Sequence, residues 1–72
     1  MDSPREQQAE GNWNQLRGRL KEAWGSLTDD DLDRFKGRRD QLEGRIQAKT
    51  GESRESIRET LDRLANEARY RW

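Results

Sequence analysis

Three side-chain groups in this 72-residue chain could do chemistry by type and spacing: an acidic triplet, an arginine set and a pair of mid-helix glycines. The triplet is Asp29-Asp30-Asp31, which as a set of oxygen ligands would suit a hard cation such as Mg²⁺ or Ca²⁺. Consecutive helical residues project about 100° apart, so three in a row do not converge on one ion, and the alternating spacing of a calcium loop is missing. Helix capping accounts for the triplet, because carboxylates in a first turn face the positive end of the helix dipole. No metal or other cofactor is therefore expected.

The arginines are Arg34, Arg38 and Arg45, which lie near one another on a helical projection and could bind a phosphate. Residues 32–51 hold six basic side chains against Asp33, Asp40 and Glu43, whereas residues 1–31 are acidic by a similar margin. The competing reading is a solvated face paired with those three acids. It is preferred, because no aromatic sits among the arginines to stack a base and the chain carries no net charge. Gly18 and Gly44 are expected inside helices, roughly opposite the apolar stripes, where each costs about 1 kcal/mol relative to alanine. Close approach by a partner's backbone is one reason to keep them; a loosened or curved helix is the other, and the sequence does not choose.

Composition limits the rest. The chain has room for one domain with a small core. It is 28% hydrophobic and 42% charged, with fifteen basic and fifteen acidic residues and a mean hydropathy of −1.53. Cysteine and histidine are absent. That removes disulfides, the commonest general acid–base group and the commonest transition-metal ligands. No apolar run is long enough for a membrane span or a signal peptide, so a cytoplasmic protein without a membrane partner is expected.

The elements that position these residues follow from periodicity. Residues 1–10 show no apolar period and read as a flexible tail, leaving 11–72 as a single helical domain. Trp13, Leu16, Leu20, Ala23, Trp24 and Leu27 form one stripe, which predicts a helix over about 12–25 that Gly25 ends in the left-handed conformation. Thr28 and Asp31 match a capping box and Leu27 and Leu32 a hydrophobic staple, so a second helix starts at 29. Leu32, Phe35, Leu42 and Ile46 could lie on one continuous stripe; a break at Gly37 is preferred, giving helices over about 29–36 and 38–50, the latter ended by Gly51. Ser53 caps a last helix over about 54–70, with Ile57, Leu61, Leu64, Ala65, Ala68 and Trp72 on one face and Tyr70 off it. The three tryptophans all fall on apolar faces and read as core.

A shift of 26 residues superposes Gly11-Gln15-Leu16-Gly18-Arg19-Leu20-Gly25 on Gly37-Gln41-Leu42-Gly44-Arg45-Ile46-Gly51. Each copy is a helix closed by glycine and followed by a helix with a hydroxyl cap. Packing two such units face to face predicts an all-α four-helix bundle of two packed α-hairpins.

The same residues carry a resemblance. Gly11 through Gly25, running into Leu27-Thr28-Asp29-Asp30-Asp31, resembles the CsbD-like stress-response family, whose pattern is G-x-W-x-Q-x-K-G-K-x-K-E-x-W-G-x-L-T-D-D-D. Gly37 through Gln47 is similar to the family's second signature, and Tyr70-Arg71-Trp72 to the end of its longer members. Arginine often stands where the family has lysine, which keeps charge but not hydrogen-bonding geometry. The resemblance implies a general-stress-associated cytoplasmic protein with a four-helix, two-hairpin fold, and it supplies no catalytic residue. The expected function is therefore non-enzymatic: a hydrophilic protectant acting by solvation or weak macromolecular contact, as a monomer or weak oligomer with no named partner. The alternative is a nucleic-acid or anion-binding module on residues 34–49.

Overall fold

In a computed structural model the backbone is described from Pro4 to Trp72 and side chains from Gly11 onward. Four helices follow in order: α1 Pro4–Ala23, α2 Asp29–Arg34, α3 Arg39–Thr50 and α4 Arg54–Ala68. The all-α expectation holds, with corrections at several helix ends.

The first concerns α1, which begins at Pro4 and not near residue 12. Its first turns need no apolar period. Proline suits a first helical position because its missing N–H would be unbonded there anyway, and Arg5 through Glu10 are good helix formers. Residues 1–3 of the expected tail lie outside the described residues. At its other end α1 stops at Ala23, and Leu27 N–H bonds to the Trp24 carbonyl at 3.0 Å to close the turn. Gly25 sits in that turn without the left-handed conformation expected of it; among the described glycines only Gly37 (φ 77°) and Gly51 (φ 75°) adopt it.

The Thr28 cap is as expected. Thr28 Oγ1 accepts from Asp31 N–H at 3.1 Å, and Asp31 Oδ2 accepts from Thr28 N–H at 3.3 Å. Thr28→Ala should therefore cost about 1 kcal/mol, read as a lower midpoint in urea, whereas an unchanged midpoint would place the helix start elsewhere. Past Arg34 the chain turns through left-handed Gly37, and Arg38 N–H meets the Phe35 carbonyl at 2.8 Å. α2 and α3 are thus separate. Gly51 ends α3, donating to the Gln47 carbonyl at 2.9 Å, and Ser53 Oγ caps α4 by accepting from Ser56 N–H at 3.2 Å.

α4 stops two residues short of the expected 70. Arg69 takes the left-handed conformation (φ 56°), with Arg69 N–H to Asn66 O at 3.1 Å and Tyr70 N–H to Ala65 O at 2.9 Å. These two bonds make a Schellman cap, here without glycine. The reversal turns Tyr70, which lies off the apolar face of a continued helix, back onto the core, and carries Trp72 there outside any helix. Tyr70 and Trp72 then pack with Trp13 in tilted and edge-on contacts, at ring-centroid separations of 5.3 Å for Trp13–Tyr70 and 5.2 Å for Tyr70–Trp72. This aromatic cluster offsets the cost of a non-glycine left-handed residue.

α2 runs back along α1, with Lys21 at 3.0 Å from Asp29 and Arg17 at 3.0 Å from Asp33. α4 runs back along α3 in the same way, with Arg58 at 3.0 Å from Glu43 and Arg39 at 2.7 Å from Asp62. α4 packs against both α1 and α3, which joins the two hairpins. The buried core is Trp13, Leu16, Leu20, Trp24, Leu27, Leu32, Leu42, Ile46, Ile57, Leu61, Leu64, Ala65 and Ala68. Phe35 and Trp72, expected to be buried with the apolar stripes, are half-buried at its edge. For both the reason is local: each lies just past the end of its helix, on a segment that has left the helical stripe.

Candidate functional site

The acidic triplet diverges as the projection argument requires. Asp29 faces Lys21 and, at 3.8 Å, Arg17; Asp30 is exposed; Asp31 turns inward to Thr28 and to the Lys49 ammonium of α3. The Lys49 hydrogen bond lowers the Asp31 carboxyl to about pKa 2. Among the described residues no group of three or more acidic side chains is placed to hold a metal ion.

The three candidate arginines meet different surroundings. Arg45 lies over the Phe35 ring, 5.8 Å from its centroid, and 3.9 Å from Asp31, so it links α3 to α2. Arg34 at the end of α2 and Arg38 just before α3 are exposed, with no ion pair among the described residues. A shallow depression of about 280 Å³ is lined by Gly37, Arg38, Arg39, Asp40 and Gln41, and includes neither Arg34 nor Arg45.

Gly18 is exposed on α1, and a Cβ built there meets no atom within 4 Å. At Gly44 the Cβ would meet only the Arg54 guanidinium, at 3.8 Å, an ordinary contact. Packing inside the fold therefore requires glycine at neither position, and a shallow surface depression beside Gly18 is lined by Asn14, Gln15, Arg19 and Glu22. Gly18→Ala should raise stability by about 0.5–1 kcal/mol and the melting midpoint by several degrees. A lower midpoint would show that the backbone there is not free.

The cluster that sequence reasoning missed centres on Glu43. Its side chain, 2% exposed, is the one buried charged residue among those described. Arg39 Nε meets its Oε2 at 3.0 Å, while Arg58 Nε at 3.0 Å and Arg54 Nη1 at 3.5 Å share its Oε1. Arg39 also donates to the Arg58 carbonyl at 3.2 Å. Burial pushes the Glu43 carboxyl up, and the hydrogen bonds and charges of Arg58 and Arg39 outweigh this, leaving it below the usual glutamate value.

The repeat explains the cluster's position. Glu43 is the counterpart of Arg17, 26 residues earlier; counted from the caps Thr28 and Ser53, Asp29 and Asp33 are the counterparts of Arg54 and Arg58. In the first hairpin one arginine bridges two carboxylates a helical turn apart. In the second, one carboxylate bridges two arginines. The geometry is shared and the signs are exchanged.

The hydrogen bond from Trp13 Nε1, with help from Arg17, also holds Asp33 below the usual carboxylate range. Asp31, Asp33 and Glu43 are all depressed, so the stability they contribute is complete above about pH 5. It is lost as pH falls through their folded values, which for Asp31 is about 2. With no histidine or cysteine, side-chain titration should leave the melting midpoint nearly level between about pH 5 and 8. Melts from about pH 2 to 8 check both parts; a midpoint still level at about pH 2.5 would contradict the ion-pair assignment.

Against known proteins, the CsbD-like family model matches residues 7–59. The chain belongs to the CsbD-like family. Among curated CsbD-like relatives, UPF0337 protein ECA0631 of Pectobacterium atrosepticum is 46% identical over 65 residues, covering 90% of this chain and 94% of that protein. UPF0337 protein YjbJ of Escherichia coli O6:H1 is 43% identical over the same coverage. UPF0337 protein NE2439 of Nitrosomonas europaea is 45% identical over 58 residues, or 81% of this chain and 62% of that protein. No solved structure matches the chain. The CsbD-like match contains the Thr28 cap, both bridging residues Arg17 and Glu43, and both candidate glycines.

Proposed function

We propose that this CsbD-like chain is a non-enzymatic general stress-response protein of the cytoplasm that protects other macromolecules by solvation and weak polar contact. One observation carries the reading. Among the described residues, the only exposed apolar side chains are Ala23 and Ala48. The large apolar groups of the described residues are buried or packed at the core's edge, so these residues present no apolar patch to grip an unfolded client. What meets solvent is charge and amide, much of it tied into ion pairs between helices. Such a surface keeps water and offers other proteins shallow polar contacts. No described helix is long and apolar enough to cross a membrane.

The nucleic-acid reading on residues 34–49 ranks below this one. Arg45 and Lys49 both face Asp31, which leaves only part of the basic segment facing solvent. The protective role is tested by drying and rehydrating a sensitive reporter enzyme with this protein or an equal mass of an inert globular protein. Greater recovery with this protein is expected. Equal recovery, or protection only at stoichiometric saturation, would contradict action through solvation.

A further inference from the structure

The exchange of signs between the hairpins leaves hairpin two with arginine donors that the fold does not use. Arg54 and Arg58 stand one turn apart on α4, 41% and 58% exposed, both aimed at Oε1 of buried Glu43. Arg58 commits only its Nε to that carboxylate and Arg54 only one Nη1 hydrogen. A guanidinium has five N–H donors, so most of those on this pair have no partner among the described residues. Arg39, the third arginine, is more fully committed: each of its three nitrogens has a partner, in Glu43, Asp62 and the Arg58 carbonyl. Its role is structural, whereas Arg54 and Arg58 form an outward fork whose spacing Glu43 fixes from below.

Two further features suit a ligand there. Gly44 lies beside Arg54 with no side chain of its own to cover the guanidinium. The local charge also favours an anion, since three arginines meet two carboxylates, Glu43 and Asp62. Glu55 and Glu59 are exposed on α4, each one position on from an arginine and so about 100° around the helix from it.

We infer that Arg54 and Arg58, preorganised by Glu43, form a seat for a single tetrahedral oxyanion, inorganic phosphate or a phosphomonoester. Planar guanidinium forks match such oxygens two at a time, and fixing the fork in advance lowers the ordering cost of binding. A compact anion fits better than a polyanion, because the chain has no net charge with which to follow a phosphate backbone. The counterpart fork in hairpin one, Asp29 and Asp33 on Arg17, presents carboxylates and serves as an internal control. This seat goes beyond the protective role and does not depend on it.

The test is a titration of the full chain with inorganic phosphate against sodium chloride at matched ionic strength, following arginine Nε–Hε signals by NMR. Arg54 and Arg58 should shift saturably with a dissociation constant of about 1–10 mM, while Arg34 and Arg38 drift without saturating. R54K/R58K keeps Glu43 paired and the fold intact but removes the planar forks, and should weaken binding at least about tenfold. R34Q/R38Q should bind as the parent does. Equal response at all four arginines, or unchanged affinity in R54K/R58K, would overturn the assignment.

Discussion

Glu43→Ala should lower stability by about 2–4 kcal/mol, the largest loss expected from any single polar substitution in this chain. The carboxylate is buried and holds Arg39 of α3 against Arg54 and Arg58 of α4. Removing it leaves three guanidiniums crowded together with Asp62, on Arg39, as their one remaining carboxylate partner among the described residues. Breaking a fully buried pair costs about 3–5 kcal/mol; here the arginines reach solvent, which moderates the loss. A 72-residue domain has about 4–11 kcal/mol in total, so the variant should lose a large share of its stability. Glu43→Gln keeps an acceptor oxygen and should lose less, about 1–2 kcal/mol. Urea midpoints give both numbers. If Glu43→Ala melts with the parent, the cluster does not hold α3 to α4.

Trp13→Ala should cost about 3–5 kcal/mol. The ring is buried where α1, the turn after α2 and the C-terminal segment meet. It lies 6.4 Å from Trp72 and 5.3 Å from Tyr70, donates to Asp33 at 3.3 Å, and carries Lys36 above it at 5.9 Å. Truncation removes the floor on which Tyr70 and Trp72 rest, so the fluorescence of Trp72 should move to longer wavelength as its surroundings become wetter. Trp13→Phe should lose less, about 1–2 kcal/mol, because most of the packing survives. Asp33→Ala removes the acceptor of the Trp13 hydrogen bond while leaving the ring's packing, and should have the smallest effect of the three. A Trp13→Ala chain with parental stability and unmoved Trp72 emission would mean the C-terminal aromatics are held by something else.

The sequence spoke most clearly where one residue type has one strong local reason to be present. Thr28 with Asp31 marked the start of α2, and left-handed Gly37 and Gly51 marked two ends. The stripes from Trp13 to Leu27 and from Ile57 to Ala68 named most of the core. It spoke poorly where tertiary packing decides. Pro4 to Glu10 are helical with no apolar period to announce it. Arg69 takes a conformation that local propensity assigns to glycine, so the reversal that redirects Tyr70 and Trp72 left no mark in α4's pattern. Glu43 stayed hidden because a glutamate beside a stripe looks like any solvated glutamate. A signal was nonetheless present: aligning the second helices on Thr28 and Ser53 puts Asp29 and Asp33 opposite Arg54 and Arg58, with Arg17 and Glu43 inverted to match. Paired inversion of this kind points to contact. For the candidate arginines the projection placed Arg34, Arg38 and Arg45 near one another, but α2 and α3 are separate helices and Arg45 is drawn to Asp31 and Phe35.

The claim that this CsbD-like chain works through a hydrated polar surface is tested most directly by one NMR comparison. The labelled protein is titrated side by side, near physiological ionic strength, with DNA and RNA, with anionic phospholipid vesicles, and with an unfolded client protein. The account predicts small shifts spread over exposed residues, with no saturation tighter than about 1 mM for any of the three. Micromolar, saturable shifts confined to one face would contradict it, and so would nucleic-acid binding that weakens steeply between about 50 and 200 mM salt and disappears when Arg34, Arg38 and Arg45 become glutamine.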